Sequence, residues 1–139
     1  MVSLLGTSAP VAALIAGHPR YSWARPYLEQ PGASLCAHSL AELYAVLTAS
    51  PQFRLLPDES ANVVEVLTAR LNVVTLEPDM YIRSMRRLAG LGLGGGAIYD
   101  ALIAEAALKA KARQLVTLNA KHFLRLGEDV AAIVVTPEE

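Results

Sequence analysis

The side chains in this sequence that suit a hard cation lie far apart along it: Glu42, Asp100 and Asn119, with hydroxyls at Thr7 and Thr117. Two carboxylates and a neutral amide oxygen match Mg²⁺ or Mn²⁺, which take oxygen ligands, and do not match zinc. The stretch GGGAIYDALIAEAALKAKARQLVTLNAKHF, from Gly94 to Phe123, does most to bring such groups together. It reads as a glycine hinge, a helix with Asp100 near its start, a strand, and a polar tip that returns Asn119 to the edge Asp100 occupies.

Each of these residues also has a plainer reading. Ser39-Leu-Ala-Glu42 has the spacing of a capping box, in which Glu42 satisfies a backbone N–H at a helix start. Asp100 suits the positive end of a helix dipole. Asn119 is an ordinary turn former, Thr117 an ordinary strand residue, and His122 an ordinary surface histidine. Glu105 is four residues before Lys109 and pairs with it on an exposed helix face. GLGLGG, from Gly90 to Gly95, has the G-x-G-x-x-G spacing of a dinucleotide loop. That fingerprint requires a strand before it and an acid after the next helix, and here a helix precedes it and an apolar strand follows. The glycines therefore read as a helix stop and a hinge.

The elements that must position the candidates alternate. Val2 to Leu5 reads as a buried strand ended by Gly6 and Thr7, followed by a helix over Val11 to Ala16 with Pro10 in its first turn. Trp23, Tyr27 and Leu28 share one face of a further helix that Pro26 begins or kinks. Ala33 to Ala37 is a second strand, and Ser39 opens a helix with Leu40, Leu43, Tyr44 and Leu47 on its apolar face. Arg54 to Pro57 is linker, and Asp58 caps a helix that runs towards Leu71. Val73, Val74 and Leu76 form a third strand, and Glu77 and Pro78 start a helix that stops at Gly90 and Gly92. A helix from Ala97 to Lys111, a strand from Leu115 to Leu118, a short helix in NAKHFLRL and a strand from Ala132 to Val135 complete the chain. Strands without period-2 alternation, separated by helices, predict a mostly parallel sheet covered on both faces. In such sheets ligands bind where strands end and helices begin. Gly6, Glu42, Asp100 and Asn119 all fall at that edge.

Composition narrows the classes. A chain of 139 residues, 53% of them hydrophobic, fits a single domain over residues 1–139 that buries a core without disulfides. Cys36 is the only cysteine and the three histidines are scattered, so neither a disulfide nor a local zinc motif is expected, and a reducing cytoplasm is. The apolar runs are too short to span a membrane, and VSLL after Met1 has no basic leader. A net charge of −1 does not mark a nucleic-acid binder.

LLGTSAPVAALIAGHP, SLAELYAVLT, GLGLGGGAIYDALIAEAA and LVTLNAKHFLRLG, in this order and spacing, resemble the PIN-domain family, in particular the VapC-type toxins of bacterial toxin–antitoxin pairs. The resemblance covers nearly the whole chain. It implies a three-layer α/β/α sandwich with a five-stranded, mostly parallel sheet, a homodimer, a VapB-type antitoxin partner, and Mg²⁺- or Mn²⁺-dependent cleavage of RNA. By position Glu42 and Asp100 match two family acids that would hold the metal. Asn119 matches the site of a further acid often replaced by asparagine, and Thr7 and Thr117 match supporting hydroxyls. Arg20, Arg25 and Arg125 are candidates to pair with phosphates. The sequence departs from the family at Gly6, where relatives carry an aspartate directly after the first strand, and no acid precedes Glu29. His122 likewise stands where many relatives are acidic. These departures imply a weakened nuclease, or a module that binds an antitoxin or RNA without cutting. A nucleotide-binding α/β domain using the glycines is a third expectation.

Overall fold

The computed structural model describes residues 1–138. Strand β1 (Ser3–Leu5) leads to helices α1 (Ser8–Leu14) and α2 (Tyr21–Glu29); β2 (Ala33–Cys36) leads to α3 (Ala37–Ala49) and α4 (Pro57–Arg70). Next come β3 (Asn72–Val74), α5 (Pro78–Gly90), α6 (Ala97–Lys109), β4 (Gln114–Val116), α7 (Ala120–Leu124), α8 (Glu128–Ala131) and β5 (Val134–Val135). The five strands form one sheet in the order β3-β2-β1-β4-β5. Every pairing in it is parallel, with Leu5 beside both Leu35 and Val116.

Alternate residues of the central strands feed two cores, as strand geometry requires. Leu5, Leu35 and Val116 pack with residues of α1, α2, α3 and α4, whereas Leu4, Cys36 and Leu115 pack with α5, α6, α7 and α8. The result is the three-layer α/β sandwich, with a sheet that is fully rather than mostly parallel. No helix among the described residues is long and apolar enough to cross a membrane.

Several local expectations change. Pro26 does not begin α2, which continues through it; lacking an N–H, it leaves the carbonyl one turn earlier without its helical donor. Helix α3 starts at Ala37, with extended Cys36 as its N-cap, so Ser39 does not open the helix and no Ser39–Glu42 capping box forms. Helix α4 begins at Pro57, which places Asp58 in its first turn rather than at the cap. The start is met instead by the Glu59 carboxylate, which accepts the Leu56 N–H at 2.9 Å. The stop after α5 takes the form the glycines suggested. Leu93 N–H donates to Leu88 O at 2.9 Å and Gly92 N–H to Ala89 O at 3.1 Å, around Gly92 at φ 70°. This pair of bonds is a Schellman motif, which needs a residue tolerant of positive φ. Strand β4 ends at Val116, and α8 is an element the apolar pattern did not show.

Candidate active site

Parallel pairing sends the carboxyl ends of β1, β2 and β4 to one edge, and the candidate residues assemble there. Gly6 follows β1 and donates its N–H to Val116 O at 2.8 Å, tying the first loop to the end of β4. Thr7 is the N-cap residue of α1. Its hydroxyl lies 3.2 Å from both Glu42 Oε1 and Ser39 Oγ, so it can donate to either. Glu42 sits in the second turn of α3, not the first, and its carboxylate turns towards β1 instead of the helix backbone. Asp100 lies in the first turn of α6. Its Oδ2 is 3.7 Å from His122 Nδ1 on α7, and its side chain is 23% exposed. Asn119 is the N-cap residue of α7, held by its N–H donating to Thr117 Oγ1 at 2.9 Å. The Ser8 hydroxyl accepts the Leu118 N–H at 3.0 Å and closes the ring of loops.

Thr7, Glu42, Asp100, Thr117 and Asn119 line one pocket of about 310 Å³ whose remaining wall includes Val11, Ile103, Leu118 and Phe123. Larger hollows lie between α2 and α4 and near Met1, neither with a pair of acids from separate elements, and in a third, of about 340 Å³, Glu105 and Asp129 are each already paired with an arginine. Burial pushes the Glu42 carboxyl above its ordinary pKa; the Thr7 hydroxyl and His38 pull it down, and the Asp100 charge pushes it up. Burial also raises Asp100, against the lowering influence of His122 and Arg125. Two carboxylates that resist ionisation partly because each is withdrawn from water form a site where a cation is electrostatically welcome.

The donor set is sparse. Among the described residues no three of His, Cys, Asp and Glu stand together at metal-binding spacing. Mg²⁺ is commonly held by one or two carboxylates with waters filling its other positions, so Glu42 and Asp100 with neighbouring hydroxyl and amide oxygens fit a hydrated hard cation. They do not fit zinc.

Glu105, also on α6, takes no part in this pocket and does not make the expected Lys109 pair. It is 6% exposed and its Oε1 meets Arg83 Nε of α5 at 3.0 Å, while Lys109 donates to Thr75 O. Arg25 is engaged with Ala13 O and Glu29, away from the acids. His18, a loop residue that no motif in its surroundings marks, also lines the pocket. Its Nδ1 accepts the Arg20 N–H at 3.0 Å, which leaves Nε2 as the free edge of the ring.

The PIN domain pattern matches residues 4–129. The chain belongs to the PIN-domain family. Its relatives place this PIN domain in the VapC-type branch. Ribonuclease VapC27 of Mycobacterium tuberculosis is 35% identical over 117 residues, spanning 83% of this chain and 82% of that protein. Among solved structures, VapBC2 from Rickettsia felis, bound to a DNA fragment from its promoter, aligns at 25% identity and TM-score 0.68 over 98% of each chain. VapBC-1 from nontypeable Haemophilus influenzae aligns at 25% identity and TM-score 0.64, covering 91% of this PIN domain and 92% of that chain.

Proposed function

We propose that this VapC-type PIN domain hydrolyses phosphodiester bonds of RNA in the pocket of Glu42 and Asp100. The observation that carries the reading is the convergence of those two acids, from separate crossovers, with Asn119 and the Thr7 hydroxyl. The ribonuclease name of a 35% identical relative supports it. Glu42 and Asp100 would hold Mg²⁺ or Mn²⁺, which when bound supplies positive charge against the charge that develops on the phosphate. The chain's own groups do the rest. Thr7 fixes the Glu42 rotamer, Thr117 fixes the loop that presents Asn119, and Asn119 orients water at the phosphate. Arg125 brings positive charge towards Asp100, where a phosphate would otherwise meet only acids.

The same reading assigns a VapB-type antitoxin as partner, since the similar Rickettsia and Haemophilus structures are VapBC assemblies. It also assigns a homodimer, for which exposed Ile82 and Met85 on α5 offer an apolar surface. An RNA substrate fits a cytoplasmic setting.

Incubating RNA with the chain, Asp100→Asn and Gly6→Asp in Mg²⁺ or Mn²⁺ tests the nuclease directly. Slow cutting by the natural sequence, none by Asp100→Asn, and a gain of about 10- to 100-fold in Gly6→Asp are expected, the range found when a site partner is lost or regained. The glycine at position 6 and the missing third acid favour one other reading, a non-cutting module that binds antitoxin or RNA. Intact RNA with both the natural chain and Gly6→Asp would leave only that reading.

A further inference from the structure

Tyr99 and His38 stand next to the two acids without lining their pocket. Tyr99 precedes Asp100 on α6, and His38 lies one turn before Glu42 on α3. Their rings stack nearly parallel, centroids 5.1 Å apart and planes inclined by 10°. Each ring therefore uses one face on the other, while Tyr99 remains 45% exposed. Gly94, Gly95 and Gly96 precede α6, separated from Tyr99 by Ala97 and Ile98, and a Cβ placed on any of them would meet nothing within 4 Å. The loop that leads into α6 is therefore open around these glycines. An exposed aromatic surface next to two acids suits a nucleobase, which brings a π face while its sugar-phosphate passes alongside.

We propose that the Tyr99–His38 stack, bridging α3 and α6 beside Glu42 and Asp100, is a base-stacking platform for a nucleotide of single-stranded RNA next to the bond that is cut. This rests on the RNA-cleaving reading above and adds to it how the strand is held. A base in a duplex already has both faces covered, so the platform selects unpaired RNA. Because every base has a π face, it confers little preference among the four bases.

The test is fluorescence anisotropy with a 5′-labelled, unstructured single-stranded RNA, in EDTA so that binding is read without cutting. A second probe of the same length carries abasic nucleotides. Tyr99→Leu is expected to weaken binding of the intact RNA by about 5- to 150-fold, the equivalent of about 1–3 kcal/mol for one stacked base. Tyr99→Phe, which keeps the ring, is expected to stay within about twofold. The abasic probe is expected to bind Tyr99→Leu and the natural chain alike. Unchanged affinity in Tyr99→Leu, equal losses on both probes, no binding by the natural chain, or a changed oligomeric state of Tyr99→Leu on size exclusion would each overturn the platform. The two readings fail separately: RNA bound through Tyr99 but never cut in Mg²⁺ or Mn²⁺ removes the nuclease, and RNA cut with no dependence on Tyr99 removes the platform.

Discussion

At position 6 the difference between glycine and the aspartate of relatives is steric as well as electrostatic. A Cβ on Gly6 would sit 3.3 Å from Val116 O and 3.6 Å from Thr117 Cβ. The carbonyl is held by the Gly6 N–H at 2.8 Å, so a side chain here requires β4 to yield by a few tenths of an ångström. The acids that remain bind protons more tightly in the folded chain than in the unfolded one, chiefly because they are partly buried. Such a group contributes stability that is fully present below its unfolded pKa and is lost as pH rises through its raised folded pKa. At pH 8 without metal, ionised Glu42 is therefore a liability to the fold. Glu42→Gln keeps an oxygen to accept the Thr7 hydroxyl and removes the charge. It is expected to melt above the natural chain at about pH 8, with the gap closing as pH falls towards about 4 and Glu42 itself becomes neutral. Thermal melts in EDTA at the two ends of that range measure it, and a gap independent of pH would assign the effect to packing instead.

Among the elements, the strands were legible because each is a short apolar run closed by glycine, proline or a polar turn, and both faces of the sheet need covering. Their edge also located the candidate pocket: Glu42, Asp100 and Asn119 share it because parallel strands share a direction. What failed to read was decided by contacts distant in sequence. Ser-x-x-Glu is a sound local signal at Ser39, but β2 pairs with β3 through Cys36, and the chain turns into α3 directly after it. Glu42 is thereby moved one turn into the helix and freed to meet Thr7. Helix α8 has only four residues, too few to show a period. Helix α6 is buried on nearly every side through Ala101, Ala104, Ala106 and Ala107, so the usual inference from i,i+4 charges to an exposed face fails for Glu105. Its partner Arg83 comes from α5 and is itself 59% exposed, so solvent screening weakens the pair. Removing the cation still strands a buried carboxylate. Arg83→Ala is expected to destabilise the domain by about 1–2 kcal/mol, and adding Glu105→Gln should recover part of that loss. A double-mutant cycle by urea unfolding measures the coupling; additive losses would mean that the two side chains act independently.

The site is a property of the whole molecule, because no single segment contains it. Thr7 meets Glu42 across a separation of 35 residues, and Ser8 meets Leu118 across 110. A cation held between α3 and α6 would bind the native chain and not the unfolded one, so melting temperature would read site integrity independently of catalysis. At a free concentration of about ten times Kd, one such ion stabilises by about 1.4 kcal/mol, roughly 3–6 °C for a domain of this size. Mn²⁺ is expected to raise the melting temperature of the natural chain in this way. Replacing Glu42 by Gln or Asp100 by Asn removes half of the carboxylate pair, so either variant should show little of the rise even where its metal-free melting temperature is higher. Gly6→Asp, with a third acid at the same edge, should reach its full rise at a lower Mn²⁺ concentration. If all four chains respond equally to Mn²⁺, the ion is binding elsewhere on the surface, and the pocket between α3 and α6 is not a cation site.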